Sequence, residues 1–309
     1  MAFMQNLEKL KTMKANFLLL LASAIWGFAF VAQKKGAEFL GPFAFTGIRF
    51  ALGSLSLIPV MSYFKGTENS VRNKTASFRS TLKAGIITGL ILFTAAALQQ
   101  AGMTGTTAGK AGFITGLYII FVPAIGILLK HNIDALTMAG VVLATAGMYL
   151  LCVKNEFAIS YYDGLVLLCA FFWSIHIMVI DHFIKKTDAL ELSFFQFVTC
   201  SALSMSAAFA FEKLTVESVR LALIPLLYGG FCSVGIAYTL QVVGQKNAKP
   251  SHAAIILSME AVFAAIGGFI VLGETLGTRA LFGCALMLAG MLLPQIGNFK
   301  DNEKSTCPE

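Results

Sequence analysis

The chain has 309 residues, 57% of them apolar and 13% charged, with a mean hydropathy of +0.77, whereas soluble domains carry about 25% charged residues. That composition excludes an ordinary soluble enzyme. The net charge of +7 does not point to nucleic acid, because in so apolar a chain the placement of basic residues serves to set orientation in a membrane.

Apolar runs of about 20 residues are long enough to cross a hydrocarbon core. Ten are predicted, at 16–34, 43–63, 83–102, 111–130, 135–153, 164–183, 190–211, 221–243, 252–272 and 279–297. They take up roughly 200 residues and leave about 109 for the termini and nine loops, which is too little for a soluble domain. The first run follows Lys9, Lys11 and Lys14, and Ala22, Ser23 and Ala24 imitate a leader-cleavage site. The apolar stretch continues through Val31, so a span is expected there in place of a leader. Pro59, Pro123 and Pro225 fall inside spans and predict kinks where backbone carbonyls are freed.

Placing the N-terminus inside puts 15 basic residues on inner segments: Lys9, Lys11, Lys14, Lys65, Arg72, Lys74, Arg79, Lys83, Lys130, Lys185, Lys186, Lys246, Lys249, Lys300 and Lys304. Seven fall outside, namely Lys34, Lys35, Lys110, Lys154, Lys213, Arg220 and Arg279, and Arg49 is left within the second span. The excess predicts both termini in the cytoplasm of a multi-pass cell-membrane protein. The sequon Asn73-Lys74-Thr75 lies in the most basic inner loop and is therefore discounted. Cys152, Cys169, Cys200, Cys232 and Cys284 fall in or beside apolar runs and Cys307 in a polar tail, with no metal-site or disulfide spacing; they read as small hydrophobes.

The chain repeats itself. At an offset of 142, Phe121 falls on Phe263, Gly126 on Gly268, Leu98-Gln99 on Leu240-Gln241 and Gly102 on Gly244. At an offset of 143, Gly140 falls on Gly283, and Ala146-Gly147-Met148 on Ala289-Gly290-Met291. Earlier in each half the offset is 147, which sets Trp26 on Trp173, Phe50 on Phe197 and Ser54 on Ser201. The two units are read as residues 1–155 and 156–309, five spans each, the second ending in a short cytoplasmic tail. Because five is odd, the second unit enters the membrane in the opposite direction. The expected fold is all-α, ten transmembrane helices arranged as two inverted five-helix repeats, an architecture that supports alternating access to a midplane site.

These residues also resemble a known family. Ala24-Ile25-Trp26-Gly27-Phe28-Ala29-Phe30-Val31 looks like the first-span signature of the EamA-type drug/metabolite transporters. Met259-Glu260-Ala261-Val262-Phe263-Ala264-Ala265 and Leu272-Gly273-Glu274-Thr275-Leu276, followed by Gly283 and Ala289-Gly290-Met291, resemble its ninth and tenth spans. The resemblance covers about 17–297 as two copies of the five-span unit. One departure is Ala261, which stands where the family often has proline after the glutamate. The resemblance implies ten helices and export or uptake of small organic metabolites such as amino acids.

Several residues are candidates for the chemistry. Trp26 and Trp173, the only tryptophans, sit near the centres of their spans instead of at the interface. Two roles are open to them: lining a central cavity, or packing with the indole N–H bonded to a backbone carbonyl. Glu260 is the candidate proton-coupling carboxylate, since an ionisable group near mid-span is costly unless it faces protein or water; the competing role is a structural carboxylate. Tyr118 is its counterpart in the first repeat, which brings a phenol and a carboxyl to related walls of one cavity. Lys110 and His252 are counterparts at cavity entrances, where they could attract a substrate carboxylate or simply be solvated helix-end charges. His176, three residues after Trp173, reaches the same face, as a proton switch or a packing residue. Gln99 and Gln241 are matched amides that can bind either end of a zwitterion or join helices. Arg49, opposite Gln196 in the repeat, is read as a structural residue near the outer end, able to snorkel.

Small residues four apart, at Gly85 and Gly89, Gly112 and Gly116, and Ala285 and Ala289, predict close helix packing. An enzyme is not expected, for the sequence has no His-Glu-x-x-His motif and no Gly-x-Ser-x-Gly elbow. The stretch Gly105 to Ala111 imitates a phosphate loop but has three residues between its glycines instead of four, and alanine after Lys110. The leading reading is a secondary transporter, an exporter of small metabolites such as amino acids. Phosphate-bearing cargo fits less well, without a paired cluster of basic residues at mid-span. A passive channel or scramblase, or a carrier for sugars or drugs, are the alternatives. No cofactor or metal is expected. The expected partners are a small-molecule substrate, the lipid bilayer and protons, with no nucleic acid, and the chain is read as a monomer or homodimer.

Overall fold

The computed structural model describes residues 2–65, 77–152, 160–272 and 277–304. The described chain is helical: α1 (Ala2–Gly36), α2 (Pro42–Lys65), α3 (Phe78–Met103), α4 (Ala108–Gly116), α5 (Tyr118–Leu128), α6 (Ala135–Cys152), α7 (Tyr161–Ile184), α8 (Ala189–Phe211), α9 (Val216–Leu221) and α10 (Leu223–Leu227) come first. A π-helical segment (Tyr228–Tyr238), α11 (Thr239–Gln245), α12 (Pro250–Leu257), α13 (Glu260–Leu272) and α14 (Thr278–Lys304) complete it. Eight stretches are long and apolar enough to cross a membrane, and the two shorter apolar helices Ala135–Leu151 and Thr278–Pro294 join them. Helices suit this composition because in lipid every backbone polar group must be satisfied within its own segment. Large apolar side chains such as Phe17, Leu55, Leu128, Phe209, Ile224 and Phe282 face outward, the reverse of a soluble surface.

The helix ends follow local chemistry. Ser160 caps α7 in a reciprocal box with Asp163, and Asp188 caps α8 through the Leu190 and Glu191 amides. Pro42 and Pro250 open α2 and α12, where a missing N–H costs nothing. At the end of α5, Lys130 takes φ 60°, and the His131 and Lys130 amides donate to the Gly126 and Ile127 carbonyls, a Schellman closure.

Three predicted spans are not continuous helices. The fourth breaks at Leu117, whose amide donates to Ile114 at 3.2 Å. The ninth breaks at Ser258 and Met259, the repeat counterpart of that position. There the Met259, Ala261 and Val262 amides each reach back three residues, to Ile256, Ser258 and Met259, and the Ser258 hydroxyl bonds the Ile255 carbonyl. Tight three-residue bonds and serine back-bonding interrupt the helix without a proline at residue 261. The eighth span follows Pro225 with the wide π-helical segment Tyr228–Tyr238, which contains Gly229, Gly230 and Gly235. Helices α1 and α14 run further than the predicted spans, starting at Ala2 and ending at Lys304.

Packing is the same when the two halves are exchanged. Helix α1 packs on the π-helical segment, α11 and α13, while its counterpart α7 packs on α3, α4 and α5. The counterparts α2 and α8 pack on each other, as do α6 and α14. Both self-pairs are antiparallel. Glu212, just past α8, accepts the Phe43 and Ala44 amides at the start of α2, each at 2.8 Å. In the other pair, glycines seven residues apart meet in crossed order. A Cβ at Gly140 would stand 2.7 Å from the Gly290 carbonyl oxygen, and one at Gly147 2.6 Å from that of Gly283. Only glycine lets the backbones approach so closely.

The connecting segments sort to two ends. At one, the Lys34 ammonium donates to the Met103 and Thr106 carbonyls, each at 2.9 Å, and Lys110 pairs with Asp163 at 2.6 Å. At the other, residues 126–134, 181–185 and 249–252 surround a cavity of about 290 Å³. The sequon, Cys307 and the motif residues Gly273 to Leu276 lie outside the described residues, as do Arg72, Lys74 and Lys154.

Candidate functional site

Where the halves meet, a polar and aromatic cavity of about 40 Å³ lies among α1, α2, α3, α7, the π-helical segment and the two broken helices. A buried water needs roughly 10–15 Å³ by this measure, so the cavity has room for a few waters in this conformation.

Its aromatic side centres on Tyr238. The Trp26 ring meets it edge-on at 4.7 Å, and the Trp173 ring stacks on it at 5.8 Å with a 29° tilt. Phe50 and Phe197, a matched pair from α2 and α8, flank it at 5.6 and 6.0 Å. Trp26 fills both roles open to it: it lines the cavity, and its indole N–H donates to the Ser233 carbonyl at 3.2 Å. Trp173 lines the cavity as well.

The polar side is built from both halves. Gln99 lines the wall and donates to the Thr115 hydroxyl at 3.2 Å. Its counterpart Gln241 also lines it, with Oε1 unpartnered. Tyr118 and Glu260 begin α5 and α13, directly after the two helix breaks, so each break delivers a polar side chain to the cavity. Glu260 is 5% exposed, its Oε1 has no partner among the described residues, and the Tyr118 phenol interacts with its carboxyl group. Gln33 adds another buried amide whose Oε1 is unpartnered.

Other sequence candidates lie elsewhere. His176 is fully buried, set edge-on to Trp173 at 5.6 Å and bonded through Nε2 to Gln196 Oε1 at 2.9 Å; it stands behind the wall instead of on it. Lys110 is paired with Asp163, so its charge is compensated within the protein. His252 lines the larger cavity at the far end, where its Nε2 meets the Thr137 hydroxyl at 2.9 Å and Asp134 at 3.9 Å. Burial alone pushes the Asp134 carboxyl up, but hydrogen bonds from the Thr137 hydroxyl and amide, with His252 nearby, hold it below its ordinary value.

Arg49 corrects the sequence reading. It does not snorkel; it is 1% exposed and lines the central cavity. The signal was present in its being the basic residue left inside a span, where a charge needs a reason. Tyr238 was not legible in the sequence, because its repeat counterpart is Ala96 and no matched residue marks it. Cys169 and Cys200 are buried free thiols, as a reading of small hydrophobes requires. Among the described residues, no cluster of His, Cys, Asp or Glu could hold a metal ion.

The model of a family described as the EamA-like transporter family matches the chain twice, at residues 13–153 and 160–294. The chain belongs to the EamA-like transporter family. It is thus a multi-pass membrane protein of transporter type with a duplicated EamA domain. An uncharacterized transporter of Archaeoglobus fulgidus is 32% identical over 288 residues, covering 93% of this chain and 87% of the relative. The uncharacterized transporter YoaV of Bacillus subtilis is 22% identical, covering 87% of this chain and 92% of its own length. A solved crystal structure shares the fold with a TM-score of 0.75 at 17% identity, covering 91% of this chain and 96% of that one.

Proposed function

We propose that this EamA protein is a secondary transporter that exports small organic metabolites such as amino acids by alternating access about the central cavity. The observation that carries the reading is the convergence of matched elements from both halves on one polar and aromatic cavity. Tyr118 and Glu260 enter it after equivalent helix breaks, Gln99 and Gln241 from equivalent faces, and Trp26 and Trp173 from α1 and α7. The antiparallel pairing of α2 with α8 and of α6 with α14 supports ten spans in two inverted units, meeting near residues 155 and 156. Two helices related by a twofold axis run antiparallel when that axis lies across them, which for a membrane bundle means in the membrane plane.

Two near-equivalent packings of the halves give an inward-open and an outward-open state of similar energy. A cavity of about 40 Å³ is far below the ~300 Å³ at which ligand pockets begin. Cargo therefore requires the halves to separate on one side. Glu260 is the group we assign to proton coupling, and the excess of basic residues on alternate segments supports both termini in the cytoplasm of the cell membrane. Protons and a small-molecule substrate are then the partners, within a lipid bilayer, and neither cofactor nor nucleic acid is required.

Counterflow in proteoliposomes loaded with a mixed pool of amino acids and small metabolites, with an internal pH dye, tests this. The expected result is saturable exchange of one compound with a proton signal. Flux that neither saturates nor shows counterflow would make the protein a channel.

A further inference from the structure

Arg49 carries a charge that the fold does not neutralise. Its side chain is 1% exposed, and among the described residues its Nε and Nη2 have no hydrogen-bond partner. Phe45 and Phe50 lie 5.7 and 5.2 Å from the guanidinium carbon, contacts that attract the cation but use none of its N–H groups. Among the described residues no carboxylate makes an ion pair with it. A guanidinium does not give up its proton, and a buried charge without a partner is costly. Such a group persists where a ligand completes it.

The two unpartnered atoms are informative together. Nε and Nη2 form the side edge of the guanidinium, two parallel N–H groups spaced to receive both oxygens of one carboxylate. The counterpart of Arg49 in the second half is Gln196, neutral and engaged with His176 at 2.9 Å. Among the described residues that line the cavity, Arg49 is the single cation, which matches a carboxylate and not a phosphate dianion. Tyr238 and Trp26 line the same cavity as Arg49 and add apolar surface to its wall.

We propose that Arg49 is the anion anchor of the central cavity and that the transported molecule carries a carboxylate, bound side-on through Nε and Nη2. Amino acids and hydroxy acids qualify; their carboxamides and neutral sugars do not. This inference rests on the transport reading, since it names the class of cargo.

The test uses the full chain in lipid nanodiscs. Its thermal midpoint is followed with amino acids and short hydroxy and dicarboxylic acids, each beside its carboxamide. At least one acid should raise the midpoint while its carboxamide does not. Arg49→Gln should weaken that acid by at least about tenfold, the order expected for a lost bidentate charge contact, and Arg49→Lys should retain part of the response. Without ligand, Arg49→Gln and Arg49→Met should melt at or above the wild-type temperature, because an uncompensated charge has been removed. The proposal is overturned if acid and carboxamide act equally, if no acid acts, or if Arg49→Gln keeps the response. It is also overturned if both neutral variants melt lower without ligand, which would make Arg49 a brace for Phe45 and Phe50. Flux assays on the same protein separate the two claims. Acid binding without saturable exchange contradicts the carrier and leaves the anchor; saturable exchange indifferent to the carboxylate does the reverse.

Discussion

Glu260 is 5% exposed, with Oε1 unpartnered beside the cavity, so its role turns on whether its proton moves. Glu260→Gln keeps the size of the side chain and removes the ionisation. It should cut proton-driven flux by about tenfold or more while sparing exchange; unfolding of the variant would instead mark a structural carboxylate. Tyr238 poses a different question, because five rings surround it. Aromatic pairs contribute about 0.5–1.5 kcal/mol each beyond burial. Tyr238→Leu should therefore lower the thermal midpoint and weaken substrate binding, whereas Tyr238→Phe should leave the midpoint near wild type. Glu260 and the tryptophans were legible in the sequence because an acid or an indole at mid-span is conspicuous. Arg49 was not, since distance from a helix end does not reveal whether a long side chain turns outward to water or inward to a cavity.

The glycine crossing between α6 and α14 makes a sharp prediction at the scale of elements. Alanine at Gly140 or Gly147 would put a Cβ 2.7 or 2.6 Å from a carbonyl oxygen of α14. Backbone cannot yield as a side-chain tip does, so each variant should lose about 1–3 kcal/mol, by thermal unfolding in nanodiscs. A Cβ at Gly164, near the start of α7, would meet nothing within 4 Å among the described residues. Gly164→Ala should gain about 0.5–1 kcal/mol from helix propensity alone. At the far end, Asp134 ties α6 to His252 of α12 through Thr137. Because its folded carboxyl lies below the ordinary value, the stability it adds is present above that ordinary value and is lost as pH falls through the folded one. Asp134→Asn should flatten the acid limb of a stability profile; an unchanged limb would sink this account of the tie. The positions of the spans could be read from apolar runs, but the break at Ser258 and Met259 could not. It arises from three-residue bonds and a serine back-bond, with no proline to announce it.

At the scale of the whole molecule, matched residues in the sequence pointed to the symmetric contacts that the helices make. Trp26 and Trp173, Gln99 and Gln241, and Tyr118 and Glu260 all reach one cavity. What the repeat concealed is where the halves differ. Arg49 has a neutral counterpart in Gln196, and Tyr238 has Ala96, so the cation and the central ring that line the cavity among the described residues each come from a single half. The proposed transport cycle keeps this asymmetric lining fixed while the symmetric frame changes which side is open. The most direct measurement is the accessibility of single cysteines at Gln99 and Gln241, introduced into a chain with its native cysteines replaced. Membrane-impermeant thiol reagents would be applied from each face of oriented vesicles, with and without the substrate found by counterflow. Labelling from either face is expected, with substrate shifting reactivity from one face to the other at both positions. Labelling confined to one face, or simultaneous and substrate-independent labelling from both, would contradict alternating access.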